Sequence, residues 1–114
     1  MTPLALRDTV VRALEDRKGR DIVTLNVSRV TDVTDFMVIA SGTSNRHVRA
    51  LVDRVVESSK ERGVRPMGVE GRDTPEWVLV DLGDVVVHVM QPQSRQFYDL
   101  EGLWDIPAIG QRVI

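Results

Sequence analysis

The chain has 114 residues, 42% of them apolar and 28% charged, with a formal net charge of −2 and no cysteine. That length predicts one domain with a single core and no room for a second. Absent thiols exclude a disulfide framework, a thiolate nucleophile and a cysteine-based zinc site, and the missing basic excess argues against a grip on naked nucleic acid.

Thr2 followed by Pro3 reads as a helix N-cap with proline at the first helical position, and Leu6, Val10, Ala13 and Leu14 recur at helical spacing. The first helix is expected over 3–18, with Gly19 as its stop. From Asp21 to Val27 the period changes to two, which predicts a strand with one buried face. Ser28–Thr34 is polar and connects it to a second strand, Asp35–Ser41. That strand is apolar on both sides and therefore central. After Gly42, Thr43 or Ser44 caps a second helix whose stripe is Val48, Leu51, Val52, Val55 and Val56. Gly63 ends this helix. Arg46, Arg49 and Arg54 read as part of its solvated side. Val64–Gly71 is expected to be a short edge strand broken by Pro66. Residues 76–90 read E-W-V-L-V-D-L-G-D-V-V-V-H-V-M, two β-branched runs about a turn at Asp81–Asp84, which is a hairpin pattern. Gln91–Ser94 turns the chain into a short helix over 95–104, with Phe97, Leu100 and Trp104 at helical spacing. Residues 105–114, with Pro107 and Gly110, form a tail. The order α-β-β-α-β-β-β-α predicts an α/β domain over 1–104: a mixed, roughly five-stranded sheet with helices mainly on one face. No stretch spans a bilayer and no signal-peptide core is present, so the expected location is cytoplasmic.

The stretch V-I-A-S-G-T-S-N-R-H at 38–47 runs from a strand through a glycine into a helix, as phosphate-binding loops do. A Walker loop needs a lysine at its end, and residues 42–46 have none. A dinucleotide fingerprint needs three spaced glycines, and only Gly42 is present. Asp81 and Asp84 are the nearest candidates for Mg²⁺ ligands, but aspartate is common in turns for backbone reasons. His47 and His88 are isolated, and no serine sits in a nucleophile elbow. The favoured reading is a tight capped corner with no catalytic group, cofactor or metal. The competing reading is a small metal-dependent nucleotidyl or phosphoryl transferase built on the Gly42 turn.

In the hairpin, a turn at Leu82–Gly83 pairs Asp81 with Asp84, Leu79 with Val86 and Trp77 with His88. One face then holds Val78, Val80, Val85, Val87 and Val89, a uniform core surface. The other face holds Trp77, Leu79, Asp81, Asp84, Val86, His88 and Met90. If both long helices cover the valine face, only the last helix is left to cover the mixed one. An uncovered patch with Trp, Leu and Met marks an interaction site.

T-D-F-M-V-I-A-S-G-T-S-N-R-H-V at 34–48, V-E-G at 69–71, the hairpin at 76–90 and R-Q-F-Y-D-L-E-G-L-W at 95–104 together resemble the ribosomal silencing factor family, also called Iojap-like proteins. The resemblance covers about residues 5–104. It implies a fold akin to nucleotidyltransferases without their catalytic carboxylates. It also implies a non-enzymatic translational repressor that binds the large ribosomal subunit through ribosomal protein L-fourteen, and the near-neutral charge suits that protein partner, with little direct nucleic-acid contact. Such a factor blocks the small subunit sterically, typically under nutrient limitation, and members commonly form homodimers. The implied contact residues are Trp77, Leu79, Asp81, His88, Met90, Arg95 and Tyr98, with Trp77 as the anchor. Arg95 is expected either to fork onto the partner or to pair internally with Glu101. Many members carry an aromatic near Met90, where this chain has a thioether that also fills apolar contacts.

Overall fold

Thr2 Oγ1 accepts the amide of Ala5 at 3.1 Å and Pro3 occupies the first turn, so helix α1 (Pro3–Asp16) begins where the sequence predicts. The computed structural model describes residues 1–104 and 111–112. Strand β1 (Arg20–Asn26) and strand β2 (Phe36–Ser41) follow, then helix α2 (Asn45–Glu61), capped by the Ser44 side chain. Next come β3 (Gly68–Glu70), β4 (Trp77–Asp81), β5 (Val85–Met90), α3 (Pro92–Tyr98) and α4 (Leu100–Trp104). Gln111–Arg112 adds a two-residue strand, β6, along β1; the rest of the 105–114 tail lies outside the described residues. The sheet order is β3-β4-β5-β2-β1-β6. Pairing is antiparallel everywhere except between β2 and β5, so the sheet is mixed. β2 lies between β5 and β1 with all six residues buried, as its two-sided apolar pattern requires.

One layer of core lies between the sheet and the long helices. Leu6, Val10, Ala13 and Leu14 of α1 and Val48, Leu51, Val52 and Val55 of α2 meet Phe36, Val38 and Ala40 of β2 and the valines of β4 and β5. Each such side chain taken from water contributes about 1.5–3 kcal/mol, which stabilises a valine-rich helix of modest intrinsic propensity.

Three expectations need correction. The chain buries a second apolar layer on the opposite face: Val23, Leu25 and Val27 of the β1 region with Met37, Ile39 and Met90, against which Trp77 and Leu100 pack. The alternating residues of β1 thus face away from the long helices, and Thr24 is buried on the helix side. The hairpin register differs by two residues. Asp81 opposes Val86, Leu79 opposes His88 and Trp77 opposes Met90. Gly83, at φ +85°, makes the turn together with Asp84, and Asp81 Oδ1 accepts the Gly83 amide at 2.9 Å. An even shift keeps every side chain on its predicted face, but Asp84 leaves that face for the turn.

The final helix starts earlier than expected and is broken. Pro92 opens α3, so residues 92–94 are helical, and Asp99 at φ 46°, ψ 56° ends it before α4 begins. Aspartate tolerates this left-handed conformation, and its Oδ1 accepts the Gly102 amide at 3.1 Å. A Cβ at Gly102 would lie 2.2 Å from Asp99 Oδ2, so a larger residue there would turn the Asp99 carboxylate aside.

Candidate functional site

The Gly42 corner is filled from within. A Cβ on Gly42 would lie 2.8 Å from Val48 Cγ2 and 3.0 Å from the Val48 amide nitrogen, so glycine lets strand and helix meet closely. The Thr43 amide donates to His47 Nδ1 at 2.8 Å, and the His47 amide donates to Ser44 Oγ at 3.1 Å. The other ring nitrogen of His47 reaches the Arg17 carbonyl at 2.8 Å and ties the corner to the end of α1. The Gly42 amide donates to the Met90 carbonyl at 3.0 Å, so the amides of Gly42, Thr43 and His47 are all engaged within the chain. Among the described residues, no group of three or more His, Asp or Glu side chains is placed to hold a metal ion.

The mixed face of the hairpin divides into a covered end and an open end. At the covered end, α3 and α4 cross the sheet. Met90 is wholly buried there and Leu100 packs beside it. Arg95 is 9% exposed; its Nε donates to Glu101 Oε1 at 2.5 Å and its Nη1 to Ser41 Oγ at 2.8 Å, with the Arg20 carbonyl at 3.5 Å. Two of the expected contact residues are thereby reassigned. Met90 has no surface to offer a partner, and the Arg95 guanidinium takes the internal alternative, clamping α3 and α4 to β1 and β2. The physical reason is the same for both: the last two helices fold back over this end.

At the boundary stands Trp77, half-buried. Its indole Nε1–H donates to His88 Nδ1 at 2.9 Å, and its ring lies 4.7 Å from that of Tyr98, tilted by 45°. Tyr98 is 52% exposed and meets Phe97 edge-on at 5.0 Å. Trp77, Tyr98 and Phe97 thus form one aromatic run from sheet to helix. His88 is only 5% exposed, and burial pushes its pKa down from 6.5 to about 4.

Past His88 the face is open. Leu79, Val86, Met37, Val27 and Val33 wall a concavity of about 360 Å³, with Asp81 and His88 also lining it. Met37, Val27 and Val33 are missing from the expected site. The parallel pairing of Met37 with Val86 brings them in, and only the strand parity of Met37 and Ile39 hinted at it. Trp77, Leu79, Asp81, His88 and Tyr98 do gather on one side of the molecule, while Met90 and Arg95 lie beneath it.

The sequence model of the family described as "Ribosomal silencing factor during starvation" matches residues 2–112. A Chromobacterium violaceum protein named "Ribosomal silencing factor RsfS" is 52% identical over 94 residues, covering 82% of this chain and 77% of that protein. A mouse protein named "Mitochondrial assembly of ribosomal large subunit protein 1" is 38% identical over 109 residues, 93% of this chain and 48% of its own length. A crystal structure from Chromobacterium violaceum superposes with a TM-score of 0.90 at 46% identity, covering 96% of this chain and 92% of that one. Family-wide sequence match, close relatives and shared architecture agree: the chain belongs to the ribosomal silencing factor family.

Proposed function

We propose that the chain is a non-enzymatic translational repressor that docks through the Trp77 face onto a protein of the large ribosomal subunit. The partner is ribosomal protein L-fourteen, as the family resemblance implies. Bound there, the chain stands where the small subunit would join, and it works in the cytoplasm. The observation that carries this reading is the partly buried Trp77, braced by His88 and Tyr98 beside an open apolar concavity, on the sheet face that the long helices leave free. A rigid aromatic anchor next to a pocket is what a patch of ordinary size, roughly 800 Å² per partner, needs for useful affinity. Exposed Phe97 and Leu103 on α3 and α4 supply apolar surface for a second copy, which supports a homodimer. The Gly42 corner has no lysine, and its Thr43 and His47 amides are engaged within the chain, which speaks against the transferase reading.

Co-sedimentation with purified large subunits tests the proposal. The wild-type chain is expected to migrate with large subunits and to lower their joining to small ones, and Trp77→Ala to weaken binding by about tenfold or more. Normal co-migration of a folded Trp77→Ala chain would refute the anchor role.

A further inference from the structure

We propose that the concavity beside Trp77 receives one cationic side chain of the protein partner, an aliphatic stem of the lysine or arginine class with its charge held at an acidic rim. This rests on the docking reading above and adds which chemistry the surface selects. The walls are aliphatic, from Val27, Val33, Met37, Leu79 and Val86, and the volume of about 360 Å³ admits a long methylene stem. Val33, 80% exposed, forms an apolar lip.

The rim carries the opposite of what a simple greasy hole would show. Asp81 lines it, with Oδ1 occupied by the Gly83 amide and no ion pair among the described residues. Asp32 and Asp35 flank the lining pair Val33–Thr34 in the connecting loop. Asp84 sits in the hairpin turn, and its carbonyl accepts the amides of Asp35 and Phe36, both at 3.1 Å, which fastens loop and turn together. None of these four carboxylates is in a salt bridge among the described residues, although six such bridges form elsewhere. Arg29 is the only cation in segments 27–35 and 79–88. His88 is uncharged at neutral pH and adds nothing to repel an incoming cation. The four acids do not converge as metal ligands do. The Asp81 carboxylate lining an apolar hole, with Asp32, Asp35 and Asp84 in the adjoining loop and turn, favours a partner group that is apolar along its length and positive at its tip.

The test is co-sedimentation of the full chain with purified large subunits at low and high salt, each variant first checked by thermal melting. Val86→Phe fills the concavity from a half-exposed position. Asp81→Asn removes the charge but keeps an oxygen for the Gly83 amide. Both are expected to weaken binding by about tenfold, and the wild-type salt dependence is expected to be steeper than that of Asp81→Asn. If Trp77→Ala fails to bind while Val86→Phe and Asp81→Asn bind normally, the docking reading stands and this inference is wrong. If only Val86→Phe is impaired, the occupant is a neutral apolar group and the cationic assignment is wrong. If the wild-type chain does not bind large subunits at all, the docking reading fails and takes this inference with it.

Discussion

Trp77 and His88, diagonal neighbours on strands β4 and β5, are joined by a hydrogen bond from the indole Nε1–H to the imidazole Nδ1 at 2.9 Å. The bond satisfies a partly buried donor and a buried acceptor at once, and it sets the orientation of the indole ring. With Nδ1 accepting, the ring hydrogen of neutral His88 sits on Nε2. Trp77→Phe keeps an aromatic ring but leaves that acceptor without its donor. We expect a loss of about 1–2 kcal/mol in chemical denaturation. Binding to large subunits should fall less than in Trp77→Ala. Unchanged denaturation would mean that the bond contributes nothing.

His88 also predicts an acid sensitivity. Burial depresses its folded pKa to about 4 from 6.5, because the charged form is disfavoured inside the sheet layer. Between those values the unfolded chain binds a proton that the folded chain does not. Stability from this group is thus fully present above about pH 6.5 and is lost as the pH falls toward 4, by about 3 kcal/mol in total. Thermal melts from about pH 7 to 4.5 should show a steeper decline for wild type than for His88→Gln. Parallel declines would place the sensitivity elsewhere.

Arg95 is expected to act through structure. Its guanidinium and the Glu101 carboxylate are both largely shielded from water. Removing one partner leaves the other charge without compensation, at a cost of about 3–5 kcal/mol for buried pairs. Arg95→Ala should therefore lower stability by about that amount. It should also raise amide exchange across α3 and α4, since the clamp to Ser41 and Arg20 goes with it. A stable Arg95→Ala chain with unchanged exchange but no subunit binding would return Arg95 to the contact surface.

Gly71 sits at φ +93°, and a Cβ there would lie 2.3 Å from the Trp77 carbonyl oxygen. The clash is with backbone at the start of β4, so it has no easy relief. Gly71→Ala should destabilise the chain by more than about 1 kcal/mol and displace the start of β4. In a Trp104→Phe background, which leaves Trp77 as the one tryptophan, the displacement should appear as a changed fluorescence maximum in the folded state. A Gly71→Ala chain with wild-type stability and emission would show that the corner can move freely.

Some of the site was legible in the chain because side-chain parity along a strand is a local property. The alternation in residues 77–90 assigned Trp77, Leu79 and His88 to one face and the valines to the other, and a two-residue error in pairing left those assignments intact. The Thr2–Pro3 start and the Ser44 cap were legible for the same reason, since a cap is settled within a few residues. The helix break at Asp99 was not, because it depends on a left-handed non-glycine residue whose side chain accepts the Gly102 amide.

By itself the sequence determined the order of the first seven elements, the starts of the two long helices, the faces of the hairpin and the family pattern that these residues carry. Only the folded chain decided that Met90 is sealed and that Arg95 turns inward to groups 54 and 75 residues away. It likewise decided that a second apolar layer forms and that Met37 joins Val86 in an open concavity. Periodicity and capping are written in neighbouring residues. Which element comes to rest on which face is fixed by the packing of distant segments against one another.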